Sequence, residues 1–303
     1  MKTLSSEDIA SFVETQLTVW PLAKQNYDAL RHAERRPVKL GDLEAAIQCN
    51  PARIKSTGAK IDKDSIAKRA CFLCRDNRPK EQLIHEIHPG WEMLVNPYPI
   101  LPIHLTIVAT EHRPQSAVPD DIVEIAAKLP GMAVFFNGAQ AGASAPDHMH
   151  LQAVLKDELP LLRLAEKIHT SANPGVLLSS QTCLSLPYLF ISGIVSPDDN
   201  GLPTLAAGLK AGGLSENGKL DNPELVNTFF WIDNEGLLRF VVVPRRAHRP
   251  QCYFREDDRQ RVISPGCIDM AGLIIAPRKS DFDTLTEQEI RDIYSEVALP
   301  NNI

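Results

Sequence analysis

The stretch from Asn137 to Gln152 reads N-G-A-Q-A-G-A-S-A-P-D-H-M-H-L-Q, and it decides both the predicted fold and the predicted function. His148, His150 and Gln152 occupy alternate positions, so in an extended strand their side chains lie on one face. The two apolar residues between them then point to the other face, into a core. The run of small residues before them lets backbone N–H groups approach an anion closely. The stretch is therefore suited to hold a phosphate and to attack it.

Composition limits the class of protein. The chain has 303 residues, of which 44% are hydrophobic and 23% charged, as in an ordinary globular protein. Its formal net charge of -6 argues against a general nucleic-acid binder, because such proteins are more often basic. The sequence contains no run long enough for a membrane span, and M-K-T-L-S-S-E-D at the N-terminus lacks the apolar core of a signal peptide. Its six cysteines are dispersed except for one close pair. We therefore expect a cytoplasmic protein without a disulfide scaffold, a membrane partner or a nucleic-acid partner.

The signature has four parts, namely Asn137, Gly142-Ala-Ser144, His148-Met-His150 and Gln152. It resembles the active-site signature of the galactose-1-phosphate uridylyltransferase branch of the histidine-triad superfamily. D-H-M-H-L-Q is closer still to the N-H-L-H-F-Q type of the GDP-hexose phosphorylases. The resemblance implies that His150 is the nucleophile, that Gln152 replaces the third histidine of the triad, and that Asn137 and Ser144 order the loop or the phosphates.

One residue departs from the uridylyltransferase pattern. Asp147 lengthens the interval between Ser144 and His150 by one residue, so Ser144 need not occupy the family position. The phosphorylases carry Asn where this chain has Asp147, which favours a phosphorylase over a uridylyltransferase. An acid beside a phosphate site is unusual, and orienting a histidine is the alternative role for Asp147.

A basic segment precedes the signature. Residues 50–60 read N-P-A-R-I-K-S-T-G-A-K, with three cations and no acid, and the proline and glycine predict a loop. By composition it is either a solvated basic loop or a phosphate-binding one. A similar S-P-H-R segment helps to bind the nucleotide in the uridylyltransferases, and Arg53 matches its arginine. Ser56, Lys60 and Gly142 are the further candidates for nucleotide binding.

Cys71-Phe-Leu-Cys74 admits three interpretations from its spacing alone, namely a redox pair, half of a zinc site or two buried thiols. A redox pair would need a thioredoxin-like context, which the sequence does not provide. The resemblance implies a structural Zn²⁺ site with the ligands Cys71, Cys74, His112 and His148. His104 is the alternative fourth ligand.

Two basic stretches lie in the C-terminal part. The segment P-R-R-A-H-R-P-Q-C-Y-F-R can flank a polyphosphate or form a solvated loop, and its basic residues are Arg245, Arg246, His248, Arg249 and Arg255. Further on, Arg278 and Lys279 match the basic pair of a segment in the GDP-hexose phosphorylases. This match makes Arg278 a candidate for substrate binding.

Local patterns predict individual elements. Capping boxes begin helices at Ser5 and at Thr286. Strands are predicted at 105–109, at 133–136 and from 152 to 155, and a hairpin is predicted at 227–243. The stretch after Gly41 is compatible with a strand or a short helix.

The predicted fold class is α+β, of the histidine-triad and uridylyltransferase type. Two related halves share a mainly antiparallel sheet, with helices packed outside. We assign residues 1–40 to a helical lead-in and 41–165 to the half with the zinc site and the nucleophile. Residues 166–303 form a second half that lacks a His-x-His and supplies substrate contacts.

The resemblance implies an enzyme that transfers a nucleotidyl group through a covalent nucleotidyl-histidine. The leading expectation is a phosphorylase that converts GDP-hexose and phosphate to GDP and hexose 1-phosphate. Alternatives are a dinucleoside polyphosphate phosphorylase of the ATP adenylyltransferase type and a hexose-1-phosphate uridylyltransferase. A protein of another class, a zinc-stabilised nucleotide binder without turnover, also fits. The expected partners are a nucleotide-sugar or dinucleotide donor, a phosphate or sugar-phosphate acceptor, and a second copy in a homodimer.

Overall fold

A computed structural model describes residues 3–54, 58, 63–168, 177–179, 185–194 and 222–301. The helices are α1 (Ser6–Val19), α2 (Pro21–Leu30), α3 (Lys63–Ala67), α4 (Ile122–Ala127), α5 (Pro160–Ile168), α6 (Cys267–Met270), α7 (Lys279–Thr284) and α8 (Glu287–Val297). The strands are β1 (Glu34–Leu40), β2 (Leu43–Cys49), β3 (His85–His88), β4 (Trp91–Val95), β5 (His104–Ala109), β6 (Met132–Asn137), β7 (His150–Leu155), β8 (Leu177–Ser179), β9 (Ile191–Ile194), β10 (Val226–Ile232), β11 (Leu238–Pro244) and β12 (Leu273–Ala276).

Nine strands form one sheet in the order β3-β4-β5-β7-β6-β10-β11-β9-β8, and each neighbouring pair is antiparallel. The five strands from the first half of the chain lie together on one side of this sheet. The four strands from the second half continue it, and the pairing of β6 with β10 joins the two groups. This arrangement confirms the predicted α+β architecture with a shared antiparallel sheet.

The sheet is buried on both faces, and successive side chains of its central strands point alternately into two hydrophobic cores. In β10, Phe229 and Trp231 face the core formed with α5–α8, whereas Phe230 faces the core formed with α1, α2 and α4. Phe135 and Phe136 in β6 divide in the same way. This period-2 alternation places successive side chains of one strand on opposite sides of the sheet.

The smaller sheet has the order β1-β2-β12, with β12 parallel to β2. The stretch after Gly41 is thus a strand. The helical lead-in consists of α1 and α2, but residues 34–40 are a strand, because their backbone pairs along its whole length with β2. Among the described residues, no helix combines the length and apolarity needed to cross a bilayer.

Most local predictions agree with the structure. Ser5 and Asp8 form the capping box of α1, and Thr286 and Glu289 form that of α8. The hairpin closes around Gly236, whose φ of 82° suits a glycine. The sequence S-P-D-D-N-G at 196–201 is typical of a turn, but it lies outside the described residues.

Candidate active site

A cavity of about 510 Å³ opens above the β7 strand and is lined by residues from both halves of the chain. Its wall includes the aromatic side chains of Trp20, Phe72 and Tyr98. It also includes the polar side chains of His150 and Gln152. A cavity that combines an apolar lining with a few polar groups is the usual form of a small-molecule site.

His150 is the first residue of β7 and is 3% exposed. Its Nδ1–H donates a hydrogen bond of 2.8 Å to the backbone carbonyl of His148, so the lone pair of the ring is on Nε2. Burial lowers the pKa of His150 to about 4, which keeps the imidazole neutral near pH 7. Burial, ring orientation and protonation state therefore all suit Nε2 as a nucleophile. Met149 and Leu151 point into the core on the other side of the sheet, as predicted.

Gln115 holds the backbone of His150, and no sequence signal marks it. The His150 N–H donates to Gln115 Oε1 at 2.8 Å, and Gln115 Nε2 donates to the carbonyls of His150 and Asn137 at 2.8 and 2.9 Å. The last paired residues of β6 and β7 are Phe135 and Gln152. The Gln115 amide thus connects the two strands beyond their last paired residues. In this way it positions His150.

The amide of Gln152 is oriented by His104, which is completely buried. Ile100 N–H donates to His104 Nδ1 at 3.1 Å, so His104 Nε2 carries the proton and donates to Gln152 Oε1 at 2.7 Å. Burial, reinforced by the charge of Arg53, lowers the pKa of His104 to about 3, so the ring stays neutral. The Gln152 NH2 group is then the part of the amide left for a ligand. His104 is not an alternative metal ligand, because this contact holds it away from the cysteines.

We expect a double-mutant cycle on His104 and Gln152 to expose this orienting role. Gln152→Ala should lower kcat by roughly a hundredfold, the usual effect of losing one oxyanion donor. His104→Ala should lower kcat as well, because the amide is then free to rotate. The double variant should be no slower than Gln152→Ala, since His104 acts through Gln152. Steady-state kinetics with metal analysis would check this, and simple additivity of the two losses would contradict it.

The small-residue loop is fastened to the second half of the chain. Asn137, at the end of β6, accepts hydrogen bonds at Oδ1 from Cys267 N–H (2.7 Å) and from Asn227 Nδ2 (3.1 Å). Gly142 has a φ of 103°, and a Cβ built there would lie 2.5 Å from Gly266 Cα. Ser144 lines the cavity beside this contact. Asn137 thus joins the two halves through its oxygen, which leaves its NH2 group as the part available to a ligand.

Gly142→Ala should impair activity more than folding. The substitution adds a methyl group against Gly266 and places alanine at positive φ, which costs about 1–3 kcal/mol. The loop can relieve this strain by moving into the cavity next to it. We therefore expect a modest fall in the unfolding midpoint and a larger fall in kcat/KM. Gly236→Ala is the matched control, because Gly236 has a similar φ of 82° in an open turn. Equal effects of both substitutions on kcat/KM would contradict the prediction.

Arg53 lines the same cavity as His150, although nearly one hundred residues separate them in sequence. Its Nη1 donates to the carbonyl of Tyr98, and its Nε is buried with no hydrogen-bond partner among the described residues. Burial lowers the pKa of Arg53 to about 10, so the guanidinium remains charged. Ser56 and Lys60 lie outside the described residues.

Asp269 is the one carboxylate among the cavity-lining residues that the structure describes. Its oxygens accept hydrogen bonds from Gly266 N–H at 3.0 Å and Ile275 N–H at 2.8 Å. Burial raises the pKa of Asp269 to about 6. With Arg53 and Arg249 also in the wall, positive groups outnumber this carboxylate, and the cavity favours an anionic ligand.

Cys71, Cys74, His112 and His148 converge on one point, and their four ligand atoms lie within 4.8 Å of one another. His148 Nδ1 lies 3.3 Å from Cys71 Sγ, 3.6 Å from Cys74 Sγ and 3.3 Å from His112 Nδ1. Tetrahedral zinc with ordinary bond lengths places sulfur and nitrogen ligands roughly 3.5 Å apart, and two nitrogens about 3.4 Å apart. The cluster therefore fits a tetrahedral metal ion of this size.

Hydrogen bonds with neighbouring groups orient these ligands. His148 Nε2–H donates to the carbonyl of Ala109 at 2.8 Å, which leaves Nδ1 unprotonated toward the cluster. Asn77 Nδ2 donates to the carbonyl of Cys71 at 2.9 Å, and Arg78 Nε donates to that of Leu73 at 2.7 Å. The side chains of Asn77 and Arg78 thus stabilise the backbone of the Cys71–Cys74 turn. Asp147 does not orient a histidine but forms an ion pair of 2.6 Å with Arg69.

Two sequence-based candidates lie elsewhere. Arg278 does not line the cavity, because its guanidinium binds Asp281 and Gln260 beside the start of α7. Arg245 is buried and donates to Asn227 Oδ1 and to the carbonyls of Pro265 and Val297, so it has a structural role.

Solved structures of known proteins are similar to this chain in fold. A family model described as a domain of unknown function (DUF4922) matches residues 12–155, slightly less than half of the chain. No curated protein matches the sequence. The solved structure of yeast Ap4A phosphorylase Apa2 aligns with a TM-score of 0.63 and 16% identity, over 98% of this chain and 99% of that one. The chain therefore has a histidine-triad-like fold.

Two further structures of the same yeast enzyme contain ligands. The Ap4A complex aligns with a TM-score of 0.63 and 15% identity, over 99% of this chain and 100% of that one. The AMP complex aligns with a TM-score of 0.59 and 14% identity, over 96% of each chain. These three structures are of one yeast phosphorylase, two of them with a nucleotide bound, and the alignments run through both halves of the present chain.

Proposed function

We propose that the protein is a nucleotidyl phosphorylase that cleaves a nucleoside 5′-phosphoanhydride through a covalent nucleotidyl-histidine at His150. The orientation of His150 carries the proposal, because its Nδ1–H is bound to the His148 carbonyl and its Nε2 is left as the nucleophile. Arg53 and Gln152 line the same cavity and supply the charge and the hydrogen bonds that a phosphate requires.

In the first step, the Nε2 lone pair of His150 attacks the α-phosphorus of the donor. The bond between that phosphorus and the bridging oxygen breaks, and the oxygen leaves with the electron pair on a phosphate group. This leaving group is a weak base, so the step needs no strong general acid. The Gln152 NH2 group and the Arg53 guanidinium stabilise the charge that develops on the non-bridging oxygens.

In the second step, an oxygen of inorganic phosphate attacks the same phosphorus, and the bond between phosphorus and nitrogen breaks. The product is a nucleoside diphosphate, and His150 regains its neutral imidazole. The neutral state of the buried ring suits both steps, since an imidazolium cannot act as a nucleophile.

We assign Zn²⁺ to the cluster of Cys71, Cys74, His112 and His148. Two thiolates and two imidazoles in a closed tetrahedral set are typical of a structural zinc site. Such an ion supplies folding free energy and holds His148, and so anchors the chain immediately before the nucleophile.

A dinucleoside polyphosphate is the first candidate for the donor, because solved structures similar to this chain include those of an Ap4A phosphorylase. Phosphorolysis of diadenosine tetraphosphate at an α-phosphorus releases ATP and then forms ADP. A GDP-hexose is the second candidate, since D-H-M-H-L-Q resembles the signature of the GDP-hexose phosphorylases. That donor would release hexose 1-phosphate and then form GDP.

Intact-mass spectrometry tests the proposal. The zinc-loaded protein is incubated with diadenosine tetraphosphate, GDP-hexoses, ADP-glucose and UDP-hexoses, each without added phosphate. We expect an acid-labile mass gain of one nucleoside monophosphate from one class of donor, and the mass identifies the base. Addition of phosphate should then remove the adduct and form a nucleoside diphosphate. The absence of an adduct with every donor would contradict the proposal and favour a nucleotide-binding protein without turnover.

A further inference from the structure

The second half of the chain contributes cations to the cavity. Of the five basic residues between 245 and 255, His248 and Arg249 line the cavity wall. Arg245 binds backbone carbonyls in the interior, and Arg255 binds Asp257 at the surface. Arg246 is exposed outside the cavity. Of the basic residues in this segment, the fold thus places the neighbours His248 and Arg249 in the described cavity wall.

Two of the contacts of Arg249 orient its guanidinium. Its Nε–H donates to Ser264 Oγ at 2.9 Å, and its guanidinium lies 4.3 Å from the centre of the Tyr253 ring. Ser264 also lines the cavity. These contacts orient the plane of the guanidinium, so it can bind a phosphate in the cavity with little loss of side-chain freedom.

The Arg249 and Ser264 pair lines the same cavity as the nucleophile. Two residues after Ser264, Gly266 packs directly against Gly142 of the small-residue loop, and Cys267 N–H donates to Asn137 Oδ1. Gln115, which positions His150, also binds the Asn137 carbonyl. A short chain of contacts thus connects Ser264 with His150.

His248 adds an unsatisfied polar atom to the same wall. Its Nδ1 is buried and has no hydrogen-bond partner among the described residues. Burial lowers the pKa of His248 to about 3, and the charges of Arg249 and Arg245 act in the same direction. The ring is therefore neutral and can donate one N–H to an anion. Buried polar atoms are satisfied in most native structures, so a ligand is the expected partner here.

We propose that Arg249, His248 and Ser264 form an anion subsite for the phosphate group that is exchanged at the phosphorus bound to His150. The inference rests on the proposed function and identifies the residues that handle the leaving group and the acceptor. In an in-line displacement, the attacking and leaving atoms lie on opposite sides of the phosphorus. The incoming phosphate therefore occupies the position vacated by the leaving group, and one subsite serves both.

Anion binding tests the subsite without turnover. Inorganic phosphate and tripolyphosphate are titrated separately into the zinc-loaded wild type, Arg249→Gln and Arg246→Gln. Arg246→Gln is the matched control, because it removes the same charge three residues away and outside the cavity. We expect Arg249→Gln to weaken tripolyphosphate binding roughly tenfold to a hundredfold, the range for a charged hydrogen bond, while Arg246→Gln binds like the wild type. Wild type that binds neither anion, or equal losses in both variants, would overturn the proposal.

Ser264→Ala is a second variant that tests the subsite if Arg249→Gln does not fold. The smaller change removes the hydrogen bond between Arg249 Nε and Ser264 without removing the charge of Arg249, and it should weaken binding by a few-fold with an unchanged unfolding midpoint. Unchanged tripolyphosphate affinity in both Arg249→Gln and Ser264→Ala, with both variants folded, would rule out the subsite.

The chemical step separates this inference from the proposed function. Isolated nucleotidyl-enzyme is mixed with increasing phosphate, and loss of the adduct is followed by mass. We expect Arg249→Gln to need at least tenfold more phosphate for half-maximal release, with unchanged slow hydrolysis by water. Normal phosphate dependence in Arg249→Gln would overturn the subsite and leave the function intact. Anion binding that depends on Arg249 in a wild type that never forms an adduct would overturn the function and retain an anion site.

Discussion

His150→Ala should form no nucleotidyl adduct and should lower turnover by roughly five to six orders of magnitude, as loss of a nucleophile does in other covalent mechanisms. The reason is that the described cavity wall offers a second imidazole only at His248, which is in the other half of the chain. Intact mass after incubation with the reactive donor measures the adduct, and nucleoside diphosphate formation measures turnover.

The variant should remain folded, because the contacts of Gln115 with His150 involve the backbone of that residue. Unfolding midpoint and zinc content should therefore match the wild type. His32→Ala is the control, since His32 is exposed outside the cavity. An adduct of normal mass in His150→Ala would show that another residue is the nucleophile, and peptide mapping would then locate it.

Cys74→Ser should lose the metal and much of the stability of the first half. The wild type is expected to contain one zinc ion per chain, and the variant much less. An ion that binds the folded state at a thousand times its Kd contributes about 4 kcal/mol. For a chain of this size, that contribution corresponds to a fall of roughly 8–16 °C in the unfolding midpoint. Metal analysis and thermal unfolding measure the two effects.

Cys252→Ser is the matched control, because Cys252 is a partly buried thiol outside the cluster. It should keep the zinc and the midpoint of the wild type. Removing zinc with a chelator should reproduce the effect of Cys74→Ser in the wild type but cause little further change in the variant. A metal-free wild type that unfolds at the same temperature as the loaded protein would contradict a structural zinc site.

Activity should fall together with the metal. Leu73 and Phe72, which lie between the two cysteines, line the cavity, and the ligand His148 is two residues before the nucleophile. Loss of the ion would free both segments. Adduct formation should then slow, and restored zinc should restore it, whereas no reactivation occurs in His150→Ala.

Patterns that depend on neighbours in sequence were predictable. The capping boxes at Ser5 and Thr286, the hairpin around Gly236 and the apolar strands each involve residues a few positions apart. The signature from 137 to 152 is also local, so its resemblance to known signatures made His150 and Gln152 candidate site residues, and both line the cavity. The resemblance likewise assembled four candidate ligands that do converge.

Side chains whose partners lie far away were not predictable. Arg245, Arg249 and Arg278 have the same guanidinium group, and composition cannot separate them. One is buried among carbonyls, one lines the cavity and one binds Asp281. His104 was a candidate metal ligand because histidine binds metals, but its contact with Gln152 comes from the pairing of β5 with β7.

By itself, the sequence determined the local elements, because these depend on periodicity and caps. The resemblance of a short contiguous signature indicated the type of fold and the candidate residues for phosphate chemistry. Tertiary structure alone decided that Gln115 bridges β6 and β7, that His104 orients Gln152, and that Arg249 rather than Arg278 lines the cavity. These outcomes depend on strand order and on loop packing between the two halves. Such packing brings together residues more than one hundred positions apart, and no local pattern records it.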